Sequence, residues 1–245
     1  MSYFIMANRR HPLSAGAGLA ACSLLACSTA LLADEKPGAT PARPDAQNLY
    51  AQHQSEYQAP ESPTLVDVGE ARYLSISGKG EPDGEAFRRK VGVLYRVAYA
   101  VKMRNKFAGR DYSMMPLEGV WWGSKQDQSF LDEPREEWNW KLLIRVPESI
   151  TEDSVRAATG AIADQGGETA VKEVGIETLN EGRCVQVLHV GPYDQEAGTM
   201  AAMKEFATSE GLTFNGPHHE IYLSNPNTTE PAKLRTILRQ PVKAK

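Results

Sequence analysis

The order of predicted secondary structure in this chain repeats once, and that repeat constrains the fold more than any other feature. In the first half, alternating side chains over residues 65–78 predict a strand that closes at a Gly-Lys-Gly turn. Apolar residues at three- and four-residue steps after Pro82 then predict an amphipathic helix. Two strand-like runs follow, at residues 115–122 and 138–145. The first half is therefore predicted to be strand, helix, strand, strand.

The second half has the same order of elements. Residues 185–190 alternate as a strand does, a helix follows, and two further strands are predicted, the last over residues 234–242. The halves also end alike, in Ile-Arg-Val-Pro at residues 144–147 and Leu-Arg-Gln-Pro at residues 238–241. Two copies of such a unit predict one α+β domain. We expect a duplicated βαββ repeat with pseudo-two-fold symmetry, an antiparallel sheet with helices on one side, and a central ligand cleft.

Each half has one strand in which a carboxylate stands among apolar and aromatic side chains. The first is MPLEGVWW, which contains Glu118, and the second is HHEIYL, which contains Glu220. Because side chains alternate along a strand, Glu118 shares its face with Trp122, and Trp121 takes the other face. A solvated sheet face would explain a single Glu, but the duplication favours a shared cleft. We expect both carboxylates to point toward that cleft, with Trp122 beside Glu118 and Trp121 in the core.

Two carboxyl groups in an apolar cleft should differ in ionisation. Like charges repel and burial raises the pKa of a carboxyl group, so we expect the pKa of at least one to be raised. Glu220 is predicted to be the charged group and Glu118 the proton donor. A tyrosine hydroxyl such as that of Tyr193 could hydrogen-bond a developing oxyanion. The predicted catalytic residues are therefore Glu118, Glu220 and Tyr193.

Aromatic side chains accompany both of these strands. They offer flat apolar walls and negative ring faces, which suit planar or cationic ligands. Each of them, taken singly, could equally be an aromatic residue of the core. The predicted ligand-binding residues are Tyr95, Tyr99, Trp122, Trp138, Trp140, Tyr222 and His218.

Charge and motif content exclude several other functions. The formal net charge of −4 argues against nucleic acid as a partner. His218 and His219 precede Glu220, but adjacent strand residues face opposite sides, so we expect no metal. Cys184 stands in a Val-rich strand and is predicted to be buried and inert. No Gly-rich phosphate loop is present in the sequence, and we expect no cofactor.

The N-terminus has the parts of an export signal. Arg9 and Arg10 precede an apolar stretch rich in small residues, at 13–33. We expect residues 1–33 to be a signal peptide or lipoprotein signal; a transmembrane anchor and a twin-arginine signal are the alternatives. The protein would then be periplasmic or lipid-anchored in the cell envelope. Its membrane contact would be only through a lipid anchor at Cys27 or Cys22.

Residues 34–63 separate this signal from the repeat. They are rich in Pro, Ala and Gln and have no sustained apolar periodicity. This composition predicts a disordered linker, with a short helix over residues 46–57 as the alternative. The folded domain is therefore expected over residues 64–245.

Several runs of the sequence resemble one known family. They are LYRVAYAVK (94–102), MPLEGVWW (115–122), WNWKLLIRVP (138–147), HVGPYDQE (189–196) and HHEIYLSNP (218–226). Over about residues 65–243 the chain resembles the GyrI-like small-molecule-binding family, whose module is also the effector-binding domain of multidrug-responsive regulators. The resemblance implies a duplicated βαββ fold and a buried Glu that meets cationic aromatic drugs, with Glu220 at the matching position.

The double-Trp and Trp-x-Trp strands most resemble those of the cyclopropanoid cyclopropyl hydrolases within that family. We therefore expect a protein that binds hydrophobic aromatic small molecules, cationic ones included, for sequestration or sensing. The alternatives are a hydrolase that opens strained cyclopropane electrophiles and a non-catalytic interaction protein of the envelope. The chain departs from the regulators because no helix-turn-helix pattern precedes Leu65.

Overall fold

Seven strands form one sheet in a computed structural model that describes residues 46–124 and 130–245. They are β1 (Thr64–Lys79), β2 (Leu117–Trp122), β3 (Asn139–Arg145), β4 (Gly175–Val190), β5 (Leu212–Phe214), β6 (His218–Tyr222) and β7 (Arg235–Ala244). Their order is β4-β1-β3-β2-β6-β7-β5, and β4 pairs with β7 as well as with β1. All ladders between these strands are antiparallel, which confirms the predicted α+β class.

Five α-helices accompany the sheet in the described residues. They are α1 (Leu49–Gln52), α2 (Gln54–Tyr57), α3 (Glu85–Phe107), α4 (Glu152–Asp164) and α5 (Glu196–Ser209). The apolar spacing predicted for α3 places Leu94, Ala98 and Val101 in the core at 0–2 % exposure. The α4 helix begins at a capping box in which Thr151 and Ser154 satisfy each other's backbone N–H groups. None of the described helices is both long and apolar enough to cross a membrane.

The strand order makes the internal repeat visible. The first half contributes β1, β3 and β2, and the second half contributes β4, β7 and β6 in the matching places. The two halves meet at the centre of the sheet, where β2 and β6 lie side by side and antiparallel. The pseudo-two-fold relation therefore runs through the β2–β6 ladder.

The segment just before β1 forms the short helices α1 and α2, in agreement with the alternative of a short helix over residues 46–57 and not with a disordered linker there. Leu49 and Tyr57 are 2 % and 1 % exposed, and α1 and α2 account for most of residues 49–57. The segment is held because it buries apolar side chains that its polar composition concealed. The predicted signal at residues 1–33, with Cys22 and Cys27, lies outside the described residues and stays a prediction.

The core under α3 contains Trp140, whose indole N–H donates to the Gly80 carbonyl at 3.1 Å. Its ring lies directly over Gly78, where an added Cβ would come within 2.1 Å of the ring carbons. Phe87 meets the same ring edge to face, with 5.0 Å between centroids. A side chain at position 78 would therefore displace the largest aromatic group of this layer.

We expect Gly78→Ala to lower the free energy of unfolding by at least about 2 kcal/mol, because the indole has no room to move. Gly160→Ala is the matched control, since nothing lies within 4 Å of a Cβ added there in α4. That control should stabilise the protein by up to about 1 kcal/mol through helix propensity. Urea unfolding measures both, and equal effects of the two changes would contradict this packing.

Candidate functional site

The β2–β6 ladder determines which side chains can meet. Gly119 lies opposite Glu220, and Glu118 lies opposite Ile221. Directly opposed residues share a face, so the two glutamates project from opposite sides of the sheet. We call one side the cleft face, which carries Gly119, Trp121, His218, Glu220 and Tyr222. We call the other the back face, which carries Glu118, Val120, Trp122, His219 and Ile221.

Helices α3 and α5 cover the cleft face on either side of Glu220. Phe87 of α3 stacks on Trp121, with 5.7 Å between ring centroids. Met203 of α5 packs in one cluster with Leu238, which lies opposite Glu220 on β7. Glu220 therefore stands on the sheet between two helices.

The Glu220 carboxylate is 9 % exposed and accepts a hydrogen bond from the Tyr222 hydroxyl at 2.7 Å. A Cβ added to Gly119 would lie 2.8 Å from that hydroxyl and 3.0 Å from the Trp121 Nε1 atom. The absence of a side chain at position 119 thus leaves room for the Tyr222 hydroxyl to reach the carboxylate. Burial raises the pKa of Glu220 to about 7, although Tyr222, the charge of His219 and Trp121 oppose the increase.

A second acid on the cleft face, Glu196, was not predicted from the sequence. It lies in the first turn of α5 and is 7 % exposed. Burial, together with the charge of Glu220, raises the pKa of Glu196 to about 9. Near neutral pH, Glu196 therefore keeps its proton while Glu220 is close to the midpoint of its ionisation. The expected pair of unequal carboxyls exists, but its members are Glu196 and Glu220.

Aromatic rings form the walls around this acid pair. Trp138 meets Trp121 edge to face at 6.2 Å between centroids, and Tyr193 meets Tyr222 in the same way at 5.9 Å. Tyr193 is 38 % exposed, so one wall of the site borders solvent. Burial and then the charges of the two acids raise the pKa of the Tyr193 phenol to about 12. Tyr193 is thus a hydrogen-bond donor at neutral pH.

Glu118 belongs to a separate, fully buried network on the back face. The Tyr57 hydroxyl donates to one of its oxygens at 2.6 Å, and His219 Nε2 lies 3.0 Å from the other. His219 Nδ1 lies 3.0 Å from Glu181, which also accepts from Arg239 at 2.9 Å. Glu118 is 0 % exposed. The prediction that Glu118 and Glu220 share a cleft is therefore wrong.

A shift of one residue in the repeat explains this error. Ile144 and Leu238 occupy equivalent positions, because each begins the matching Arg-x-Pro ending. Ile144 lies opposite Leu117 across the β2–β3 ladder. Leu238 lies opposite Glu220 across the β6–β7 ladder. The counterpart of Glu220 is therefore Leu117 rather than Glu118, and a shift of one residue moves a strand side chain to the other face.

The aromatic residues predicted to bind ligand differ in the face of the sheet that they occupy and in their exposure to solvent. Trp122 lies on the face of Glu118, as alternation required, but that is the back face, so Trp121 and not Trp122 stands beside Glu220. Trp140 is on the cleft face but is a core residue at 1 % exposure. Tyr95 is half-buried on α3, and the Tyr99 ring, 6.4 Å from it, belongs to a side chain that is 54 % exposed.

His218 is on the cleft face as predicted, at 3 % exposure. Its ring stacks on Phe130 at 5.8 Å, and its Nε2 atom lies 3.7 Å from Glu220. Burial lowers the pKa of His218 to about 4, so the imidazole is neutral near pH 7. No group of three His, Cys, Asp or Glu side chains within residues 46–124 and 130–245 is arranged to hold a metal ion.

Comparison with known proteins identifies relatives of the chain. The sequence model of the GyrI-like small molecule binding domain matches residues 61–243. An uncharacterized conserved protein from Listeria innocua is 34% identical, with a TM-score of 0.74, over 80% of this chain and 100% of that chain. A structure described as a hydrolase from Listeria innocua is 33% identical, with a TM-score of 0.71, over 80% of this chain and 100% of that chain.

The C-terminal domain of EcmrR is a more distant neighbour. It is 12% identical, with a TM-score of 0.52, over 75% of this chain and 98% of that chain. At this identity the likeness concerns the fold alone. A search of curated proteins found no match.

The Glu196 carboxyl should make stability depend on pH. Its folded pKa is about 9 against an ordinary 4.5, so the folded state holds a proton that the unfolded chain releases. The stability that the folded state gains by holding this proton is complete below about pH 4.5 and is lost as the pH rises toward 9. We expect Glu196→Gln to match the wild type near pH 4.5 and to be more stable by up to roughly 5 kcal/mol near pH 8.

Denaturant unfolding at the two pH values measures this difference. Glu205→Gln, on the exposed side of the same helix, is the matched control and should keep the wild-type pH profile. Parallel profiles for wild type and Glu196→Gln would show that Glu196 is not held protonated by the fold.

Proposed function

The chain belongs to the GyrI-like small-molecule-binding family, and from this premise we propose that it binds hydrophobic, cationic aromatic molecules beside Glu220. The observation that supports the proposal is a carboxylate at 9 % exposure enclosed by Trp121, Tyr193 and Tyr222. Family membership supports small-molecule binding. The side chains at this site are the reason to expect a preference for flat, positively charged molecules.

The preference follows from the chemistry of the walls. A flat cation would present its ring to the aromatic faces, each of which attracts positive charge. The same cation would pair with Glu220 in a place from which water is largely excluded, where a charge pair is stronger than at the surface. A neutral molecule of the same shape would gain the ring contacts but not the ion pair.

The acid pair would make this binding depend on pH. The pKa of Glu220 is about 7, so the fraction that carries a charge rises across neutral pH. A bound cation favours the ionised form and would lower that pKa further. Glu196, with a pKa of about 9, keeps its proton over this range and leaves Glu220 as the counter-ion.

We expect Glu220→Gln to weaken binding of 10-methylacridinium by roughly 1–3 kcal/mol, through loss of a charge-assisted contact. Binding of acridine, which has the same rings and is neutral above about pH 7, should hardly change. Quenching of tryptophan fluorescence near pH 8 measures both affinities, since Trp121 is on the same face of the sheet as Glu220.

Glu205→Gln, on the exposed side of α5, is the control for removing a carboxylate away from the site. It should leave the ratio of the two affinities close to that of the wild type. Equal losses for the cation and the neutral compound in Glu220→Gln, or none for either, would show that Glu220 belongs only to the scaffold.

A hydrolase is the second candidate, favoured by the 33% identical Listeria innocua structure described as one. In this reaction water would attack a cyclopropane carbon of a spirocyclopropyl dienone while Glu220 accepts a proton from the water. The ring C–C bond would break and its electron pair would reach the dienone oxygen, which becomes a phenol after protonation. Tyr193 would hydrogen-bond that oxygen, and protonated Glu196 takes the donor role predicted for Glu118.

Turnover distinguishes the two candidates. An enzyme should open several molecules of a spirocyclopropyl dienone per protein molecule, and Glu196→Gln should slow this by about 10²-fold or more through loss of the proton donor. Product formation is followed by the ultraviolet absorbance of the phenol. Stoichiometric quenching without turnover supports a binding protein, and neither signal supports the interaction protein of the envelope.

A further inference from the structure

His219 of the back face is the neighbour of Glu220 along β6. Consecutive strand residues have Cα atoms about 3.8 Å apart and project to opposite sides of the sheet. The imidazole and the carboxylate are thus separated by only the thickness of the strand. His219 is 0 % exposed, so little water lies between the two groups to screen an electric field.

Two carboxylates hold the His219 ring from both sides. Glu118 lies 3.0 Å from Nε2, and Glu181 lies 3.0 Å from Nδ1. A neutral imidazole has one N–H donor, whereas an imidazolium has two. Glu181 is hydrogen-bonded to Nδ1, whereas Glu118 lies beside Nε2 at ion-pair distance without a hydrogen bond. Both carboxylates favour the doubly protonated, positively charged ring through their charge.

We infer that His219 is a positioning residue of the ligand site: Glu118 and Glu181 hold it as an imidazolium, and its positive charge favours the ionised form of Glu220 from behind the sheet. The inference rests on the proposed role of Glu220 as the counter-ion of a cationic ligand. It gives the buried Glu118 a function at the site without contact with the ligand.

Other titratable and charged groups also lie around each of the two residues. Glu220 faces Trp121, His218, Tyr222, Tyr193 and Glu196 on the cleft face, of which His218 is neutral near pH 7 and Glu196 protonated. His219 faces an assembly that also contains Arg239, Tyr57, Tyr73, Arg145 and Glu56. Of the charged groups named here, His219 is the one that directly precedes Glu220 in the chain.

With Glu118 ionised, the charges of the back face balance when His219 is positive. Arg239 is paired with Glu181, and Arg145 with Glu56, which leaves the charge of Glu118 to His219. Burial alone would lower the pKa of His219, but Glu181 and Glu118 raise it to about 9. Burial would raise the pKa of Glu181, yet His219 and Arg239 lower it to about 2. His219 therefore stays positive through the range in which Glu220 ionises.

The test is a titration of Glu220 in the full chain without ligand. Carbon-13 NMR of the glutamate carboxyls gives its midpoint, and the signal lost in Glu220→Gln assigns it. We expect His219→Gln to raise this midpoint by about one pH unit, and His219→Lys, which restores the charge, to return it toward the wild-type value. A midpoint that is unchanged in His219→Gln would overturn the proposal.

Tyr57→Phe distinguishes the loss of the His219 charge from a general disruption of the buried network around Glu118. It removes an uncharged hydroxyl from Glu118 and should lower stability while shifting the Glu220 midpoint by far less than His219→Gln does. Equal shifts in the two variants would overturn the proposal, because general loosening would then explain both.

A measurement on the wild type keeps the proposal testable when His219→Gln does not fold. Proton NMR of the His219 ring should show it doubly protonated up to about pH 8, and a ring that is neutral below about pH 7 would overturn the proposal. Neither readout requires a ligand. If the 10-methylacridinium experiment fails and the NMR titrations give the expected results, the proposed function is refuted. The effect of His219 on the ionisation of Glu220 is then still supported.

Discussion

The antiparallel pairing of β2 with β6 is the interaction on which the rest of the structure depends. It joins the two repeats at the centre of the sheet and sets a register in which Gly119 faces Glu220. That register sends one acid to the cleft and the other to the back face. Every later property of the site, from its aromatic walls to its protonation, follows from which residues share a side at this ladder.

Most of the fold was predictable from the sequence because apolar spacing and matching ends report directly on strands and helices. The 144–147 and 238–241 endings identified the repeat, and α3 formed where its three- and four-residue steps indicated. The register of β2 was not predictable in the same way. Glu118 and Glu220 each stand before apolar or aromatic residues, and an alignment on those residues differs by one position from the alignment given by the ladders.

Two other features were hidden for physical reasons. An acid in the first turn of a helix ordinarily complements the helix dipole at the surface, so Glu196 gave no sign of burial. The polar composition of residues 46–57 concealed that Leu49 and Tyr57 are buried. By contrast, Tyr222 and His218 were predicted on the face of Glu220 from strand alternation, and the structure places them there together with the candidate Tyr193.

The double pairing of β4, with β1 on one edge and β7 on the other, bears on how such a chain could have arisen. Each half completes its hydrogen bonding only by using strands of the other half, at the centre and again at the β1–β4 ladder. A chain with one βαββ unit would leave both edges open, and such edges pair with whatever strand is available. An ancestor of half this length would therefore have existed as a two-fold dimer. In that dimer any acid at the Glu220 position would have appeared twice, and gene fusion would have allowed the two copies to diverge into Glu220 and Leu117.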